Sequence, residues 1–338
     1  MRARSAIIAA ILPLAAAIYH PARAGDKPGA FDKGSNALWM RRHWLHEEPT
    51  QTEVAELAAS LRAHGIQRIY PFLGPMDREG WPGWRSKAGL VRYDAGRAGA
   101  FLQAIHRIAP EIRVIPWTGG VAGGDVQLQD RKQRRAFAEH ARRLIALGAD
   151  GIHLNIEPLK SWTPGYLDLL REVKAAIGGH TLSVAAYTPP VASRAEGDLQ
   201  WELPFMREVC RNAGEIAVMG YNTGASSPRQ FEDIVSAWMR QLAAALPPSS
   251  AKGCEWLMGV PAYDDAEEYH RPDVETIEHS LNGIVAALRG MKTPQNFAGV
   301  AIYASFTMNE SKWATYDRLW RGAEPVTGPP PDLLNTAK

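Results

Sequence analysis

The stretch Asp150-Gly151-Ile152-His153-Leu154-Asn155-Ile156-Glu157-Pro158 limits what this chain can fold into more than any other. Ile152, Leu154 and Ile156 alternate with His153, Asn155 and Glu157. Successive side chains of a strand point to opposite faces, so the run reads as a strand with one apolar side and one polar side. Before it stands Leu144-Ile145-Ala146-Leu147-Gly148, the pattern of a helix closed by glycine. After it comes Pro158, which has no N–H for a ladder. A strand set between helices belongs to a parallel α/β sheet, whose apolar face packs on the helices. If such a sheet closes on itself, the polar set points into the lumen, and Glu157 lies nearest the C-terminal rim where barrels carry their chemistry.

The rest of the chain repeats this alternation. Strand patterns cover Asn36–Leu45, Gly65–Leu73, Glu111–Thr118, Asp150–Glu157, Thr181–Thr188, Glu215–Asn222, Glu255–Tyr263 and Phe297–Phe306. Between them, apolar residues recur at helical spacing: Val54, Leu57, Ala58 and Leu61; Phe101, Leu102, Ile105 and Ile108; Phe137, Ala141, Leu144 and Ile145; Val274, Ile277, Leu281, Ile284 and Leu288. Phe231, Ile234, Val235, Trp238 and Leu242 make the clearest such stripe. Further helices are expected at Gly165–Ile177, Pro204–Arg211 and Asn309–Trp320. Eight strands each followed by a helix predict a single (β/α)8 TIM barrel, spanning residues 25–323. A doubly wound open sheet is the second choice, but no Gly-rich turn follows the first strand. Residues 324–338, with Pro329-Pro330-Pro331, read as a loose Pro-rich tail.

The start is basic (Arg2, Arg4) and then apolar from Ala6 to Ile18, and Ala22-Arg23-Ala24 has the form of a cleavage site. Residues 1–24 therefore read as a signal peptide, and the mature protein as secreted or periplasmic, with no membrane attachment after cleavage. Net charge is +2 with its cations dispersed, which gives no support for a nucleic-acid partner. Cys210 and Cys254 are too few for a disulfide scaffold; one bridge is possible, and spacing does not decide it. His43, His46 and Glu47 lack the spacing of a helical zinc motif, so neither metal nor cofactor is expected. A monomer is the expectation.

Several strand ends together resemble glycoside hydrolase family 18, the chitinases and endo-β-N-acetylglucosaminidases. The frame Asp150-Gly151-x-His153-x-Asn155-x-Glu157 is similar to that family's fourth strand, Asp-Gly-x-Asp-x-Asp-x-Glu. Met219-Gly220-Tyr221-Asn222 resembles the end of its sixth strand and Gly259-Val260-Pro261-Ala262-Tyr263 its seventh. Thr118-Gly119-Gly120 is a looser analogue of its third, and Tyr303 stands where the family places a tryptophan under the sugar. His153 and Asn155 depart from the family aspartates, and the Asn-x-Glu pair instead resembles glycoside hydrolase family 85.

What the resemblance implies is a carbohydrate substrate bearing N-acetylhexosamine and a glycosidase whose nucleophile is the sugar's own 2-acetamido oxygen. Glu157 is then the general acid/base, Asn155 the acceptor of the acetamido N–H, and Tyr221 a donor to the acetamido oxygen. Asn222, Trp117, Tyr303 and Tyr263 are candidate sugar contacts. His153, deeper on the same face, is read chiefly as a barrel-floor residue and carried as the innermost candidate contact. Trp81 and Trp84, in the long connection from Gly74 to Ala95, either line a sugar cleft or pin that loop. Two other readings stay open: a two-carboxylate retaining enzyme using Glu157 with Asp264 or Asp265, and a carbohydrate-binding barrel without turnover. Chitin, peptidoglycan and N-glycan are not distinguished. On the signal-peptide reading, N-terminal sequencing of the exported protein is expected to begin at Gly25; an N-terminus still at Met1 would refute it.

Overall fold

The computed structural model describes residues 27, 29–87, 89–191, 199–246, 254–266 and 270–324. The expected signal peptide, and all of the expected tail but Glu324, lie outside those residues. In order, the elements are β1 (Asn36–Met40), a one-turn α1 (His43–His46), α2 (Gln51–Ala63), β2 (Ile66–Pro75), the hairpin β3 (Gly83–Ser86) and β4 (Gly89–Arg92), and α3 (Ala95–Ile108). There follow β5 (Arg113–Val114), β6 (Trp117–Val121), α4 (Arg131–Ala146), β7 (Gly151–Glu157), α5 (Tyr166–Ile177), β8 (Thr181–Ala186), α6 (Leu203–Ala213) and β9 (Gly214–Val218). The chain continues through α7 (Pro228–Ala245), β10 (Glu255–Pro261), α8 (Ile277–Arg289), β11 (Phe297–Tyr303) and α9 (Glu310–Tyr316), which runs into a π turn over Asp317–Arg321.

β5 and β6 are two pieces of one stave, parted at Ile115-Pro116, and both pair with β2. Every ladder of the main sheet is parallel, and β1 pairs with both β2 and β11. The sheet is thereby closed into an eight-stave barrel with its helices outside, the predicted (β/α)8 fold. Ile152, Leu154 and Ile156 lie in the layer between barrel and helices, as do the helical stripes, with Phe231, Trp238 and Leu242 fully buried. Burying each large apolar side chain contributes about 1.5–3 kcal/mol, so these stripes hold the outer layer to the barrel.

Three expectations need correcting. The first strand stops at Met40, and His43 to Leu45, expected as its continuation, lie in a helical turn over His43–His46. The connection from Gly74 carries a hairpin that its sequence did not announce. The eighth strand stops at Tyr303, short of Phe306. Asp150, just before β7, accepts from Val114 N at 2.7 Å and from His106 at 2.9 Å.

Cys210 on α6 and Cys254 just before β10 form a disulfide, Cα to Cα 5.3 Å, across 44 residues. Closing a loop of that length stabilises the fold by roughly 3–4 kcal/mol, mainly by restricting the unfolded chain. The double variant Cys210→Ser/Cys254→Ser should therefore melt several degrees lower by calorimetry. An unchanged Tm would remove the bridge from the stabilising set.

Candidate active site

The lumen is filled from the bottom by paired charge and then by neutral rings. Arg68 and Glu215, 3% and 2% exposed, meet at 3.1 Å, and Arg68 also bonds Glu255. The Tyr70 hydroxyl donates to Glu215 at 2.9 Å. Above this, the Tyr70 ring stacks on His153 with centroids 4.2 Å apart. The Trp39 indole N–H, a donor only, points to His153 Nε2 at 3.1 Å, so that nitrogen accepts. The imidazole proton then sits on Nδ1, facing Ser183 Oγ at 2.8 Å. His153 is fully buried and burial pushes its pKa down to about 3. It is a neutral floor residue, as its depth on the strand chiefly suggested, and it has no surface exposed toward the mouth.

The next residues of β7 on that face are Asn155 and Glu157, each one step, about 7 Å, nearer the rim. Both are half-buried. The Asn155 side-chain oxygen is buried and has no hydrogen-bond partner among the described residues. β6 runs beside β7 with Gly119 opposite Asn155. A Cβ at Gly119 would stand 1.6 Å from the Asn155 carbonyl oxygen, which accounts for glycine there. Glu157 accepts the Tyr187 hydroxyl at 2.9 Å. Burial, reinforced by the Glu157 charge, pushes the Tyr187 pKa up, so its phenol stays a donor.

Tyr221 is 7% exposed, and its pKa is raised by burial, then by Tyr303 and Glu157, which places it among those groups. It stacks on Tyr303 with centroids 5.3 Å apart. Trp117 lies 6.5 Å from Tyr303 and 4.4 Å from Phe72, ring to ring. Glu157, Asn155, Tyr221, Tyr303 and Trp117 thus share the C-terminal mouth of the barrel.

The other expected contacts have partners of their own. The Tyr263 hydroxyl is given to Glu275, and its ring stacks on His270 at 4.1 Å. Asn222, at φ +58°, donates its backbone N–H to the same Glu275 at 2.8 Å. Glu275 is 1% exposed and also takes both donors of Thr223, so it ties the ends of two staves together beneath the surface. Tyr263 is a brace, and Asn222 is anchored to the same brace through its backbone. Trp81 packs on His140 of α4, 4.1 Å between rings, with Arg92 and Arg143 over it at 5.1 Å each. It pins the hairpin loop and does not face the cleft. Trp84 remains at the rim under the Arg42 guanidinium at 4.1 Å. Asp264 is 69% exposed and held by Lys312 at 2.5 Å, and Asp265 faces His270 at 3.6 Å; neither carboxylate is turned toward Glu157 by these bonds. His46 bonds the Leu73 carbonyl at 3.0 Å, and no group of three potential metal ligands converges among the described residues.

Sequence reasoning missed Tyr187, Phe72 and Glu275. Tyr187 was within reach: Ser183 is level with His153, so two further steps along the lumen face bring Tyr187 level with Glu157. Phe72 follows from Arg68 and Tyr70 by the same parity. Glu275 carried no such signal, because it reaches the site from a loop.

No family model matches the chain, and no curated protein matches it. Among solved structures it is similar to the spore cortex-lytic enzyme SleL of Bacillus megaterium, at 12% identity and TM-score 0.55, over 85% of this chain and 74% of that one. It is also similar to a class V chitinase of Pseudomonas fluorescens, at 14% identity and TM-score 0.52, over 84% and 98%. A family 18 chitinase of Cycas revoluta, solved with allosamidin, gives 14% identity and TM-score 0.52, over 85% and 99%. The chain has the fold of these proteins.

The neutral His153 has a pH consequence. Unfolded, it takes a proton near pH 6.5; folded, not until about pH 3. Stability present above pH 6.5 is therefore lost as pH falls toward 3, at up to about 1.4 kcal/mol per pH unit. Urea unfolding of His153→Gln between pH 6.5 and 4 should show a slope shallower by about that amount. Equal slopes in the two proteins would mean His153 is not held neutral.

Proposed function

We propose that this protein is an exported glycoside hydrolase acting on glycans that contain N-acetylhexosamine, by a substrate-assisted, retaining route. One observation carries the reading: the buried amide oxygen of Asn155, unpartnered among the described residues, lies one strand step below the Glu157 carboxyl at the barrel mouth. An unsatisfied buried acceptor costs about 1–3 kcal/mol, a cost that a ligand N–H relieves. An acetamido group supplies that N–H, and its oxygen is then turned toward the anomeric carbon above.

Glu157 protonates the glycosidic oxygen as the acetamido oxygen attacks the anomeric carbon, and the leaving sugar departs with the proton. A cyclic oxazolinium ion remains on the sugar. Asn155 supports the positive charge on its nitrogen by accepting its N–H, and the Tyr221 hydroxyl orients the acetamido oxygen. Water, deprotonated by Glu157, then opens the ring at the anomeric carbon, and configuration is retained. Tyr187 holds the Glu157 carboxyl in place during both steps. Trp117 and Tyr303 offer apolar faces to the pyranose. The fold shared with chitinases and a cortex-lytic enzyme supports the same reading.

A reducing-end assay on N-acetylated glycans tests it, with the corresponding de-N-acetylated chains as the contrast. Glu157→Gln should lower kcat by at least about 10²-fold with little change in binding, and Asn155→Ala should lower kcat with N-acetylated substrate by on the order of 10-fold or more. Equal cleavage of chains lacking the acetyl group would sink the substrate-assisted route. Tight binding without any cleavage would make the protein a carbohydrate-binding barrel.

A further inference from the structure

The lumen-facing series of β1 runs Ala37, Trp39 and then Arg41. Ala37 and Trp39 both belong to the cluster inside the barrel, and by strand parity Arg41 is the next residue on that side, at the rim. Its guanidinium lies over Phe306 at 4.9 Å from the ring centre. Phe306 packs against the same lumen cluster and stands 6.4 Å from Tyr303, which stacks on Tyr221. Arg41 is therefore a cation on the wall of the mouth, across the ring of staves from Glu157. Next to it, Arg42 covers Trp84.

These two differ from the nearby arginines in having no counter-charge among the described residues. Arg92 and Arg97, arginines of the neighbouring elements, are paired with Asp77 at 3.2 Å and with Glu48 at 3.3 Å. Among the described residues Arg41 and Arg42 have no carboxylate within ion-pair distance, and the N–H groups of Arg41 have no hydrogen-bond acceptor. Arg41 is half-buried, so part of its hydration is already gone. A ring beneath the guanidinium engages its π face, restrains its rotamers and leaves its N–H edge for an in-plane acceptor. A neutral chitin-like chain presents hydroxyls and amides there. A carboxylate matches the planar fork with two parallel bonds.

We propose that Arg41 forms a subsite for a carboxylate carried by the bound glycan, so that the preferred substrate is an anionic N-acetylated chain. This rests on the mouth being a glycan cleft, as proposed above. The carboxylate can come from a hexuronic acid or from a lactyl ether on an N-acetyl sugar.

The test is binding, measured calorimetrically in the Glu157→Gln protein at low and high salt. Three length-matched oligosaccharides are compared: neutral N-acetylglucosamine, N-acetylglucosamine alternating with hexuronate, and N-acetylglucosamine alternating with its 3-O-lactyl form. At least one anionic chain should bind about 10-fold tighter than the neutral one at low salt, with the ratio falling as salt rises. Which anionic chain wins identifies the source. Adding Arg41→Met should bring the ratio to about one, whereas Arg142→Gln, the same charge loss out on α4, should leave it intact. Should Arg41→Met not fold, Arg41→Lys takes its place and should lose at least about 3-fold of the preference, since a point charge cannot make the paired bonds. A ratio near one with Arg41 present, or a ratio that survives replacement of Arg41, overturns the proposal. Failure of all three chains to bind overturns the glycan reading itself, and this inference with it.

Discussion

Every group at the mouth stands at a height set by the stack beneath it. Trp39, Tyr70, His153 and Ser183 fill the middle of the lumen with matched donors and acceptors, over the Arg68–Glu215 pair. A barrel interior admits no slack, because a strand side chain moved by one residue changes face altogether. With Trp39 donating to one imidazole nitrogen and Ser183 facing the other, His153 locks the register of β7 relative to β1 and β8. Asn155 and Glu157 follow at fixed rises of the same strand. The buried ion pair below is retained at a desolvation cost, and removing Arg68 would leave Glu215 as an uncompensated buried charge, at a cost of about 3–5 kcal/mol.

Above the stack, support comes sideways. Tyr187 reaches Glu157 from the adjacent stave, and Glu275 gathers Asn222, Thr223 and Tyr263 from β9 and β10 loops into one knot. Both devices use hydrogen bonds to a carboxylate, the stronger kind. They differ in exposure: Glu275 is sealed at 1% and can only brace, whereas Glu157 is half-open and can meet a ligand. The same chemistry therefore yields a sealed structural knot in one place and an accessible carboxyl in another.

The alternation of residues 150–158 made the barrel legible, because a strand with period-two polarity set between helical stripes fits few folds besides a closed parallel sheet. Parity along each strand also told which side chains face inward, which is why Asn155, Glu157, Tyr221 and Tyr303 come together. It failed where backbone leaves the strand. Trp81 lies just before the β3–β4 hairpin and packs on α4, and Tyr263 lies beyond the end of β10, where Glu275, further along the same connection, captures its hydroxyl. His153 was ambiguous for a different reason: parity assigns a face but not a depth, and depth is what separates a floor histidine from a ligand contact. The Cys210–Cys254 bridge likewise depended on the approach of α6 to β10, which spacing does not encode.

An amide at position 155 changes the electrostatics of the mouth in a definite way. A carboxylate one step from Glu157 on the same face would place two like charges in a partly dry site, each disfavouring ionisation of the other. Asn155 keeps the acceptor oxygen and removes the charge. It can receive an N–H, and unlike a carboxylate it does not compete with Glu157 for a proton. The control of Glu157 then passes to its neighbours across the staves, the Tyr187 hydroxyl that bonds it and the Tyr221 phenol nearby, both kept protonated by burial. Among the described residues the β1 wall adds the guanidinium of Arg41 over Phe306, so the mouth carries a carboxyl on one side and a cation on the other.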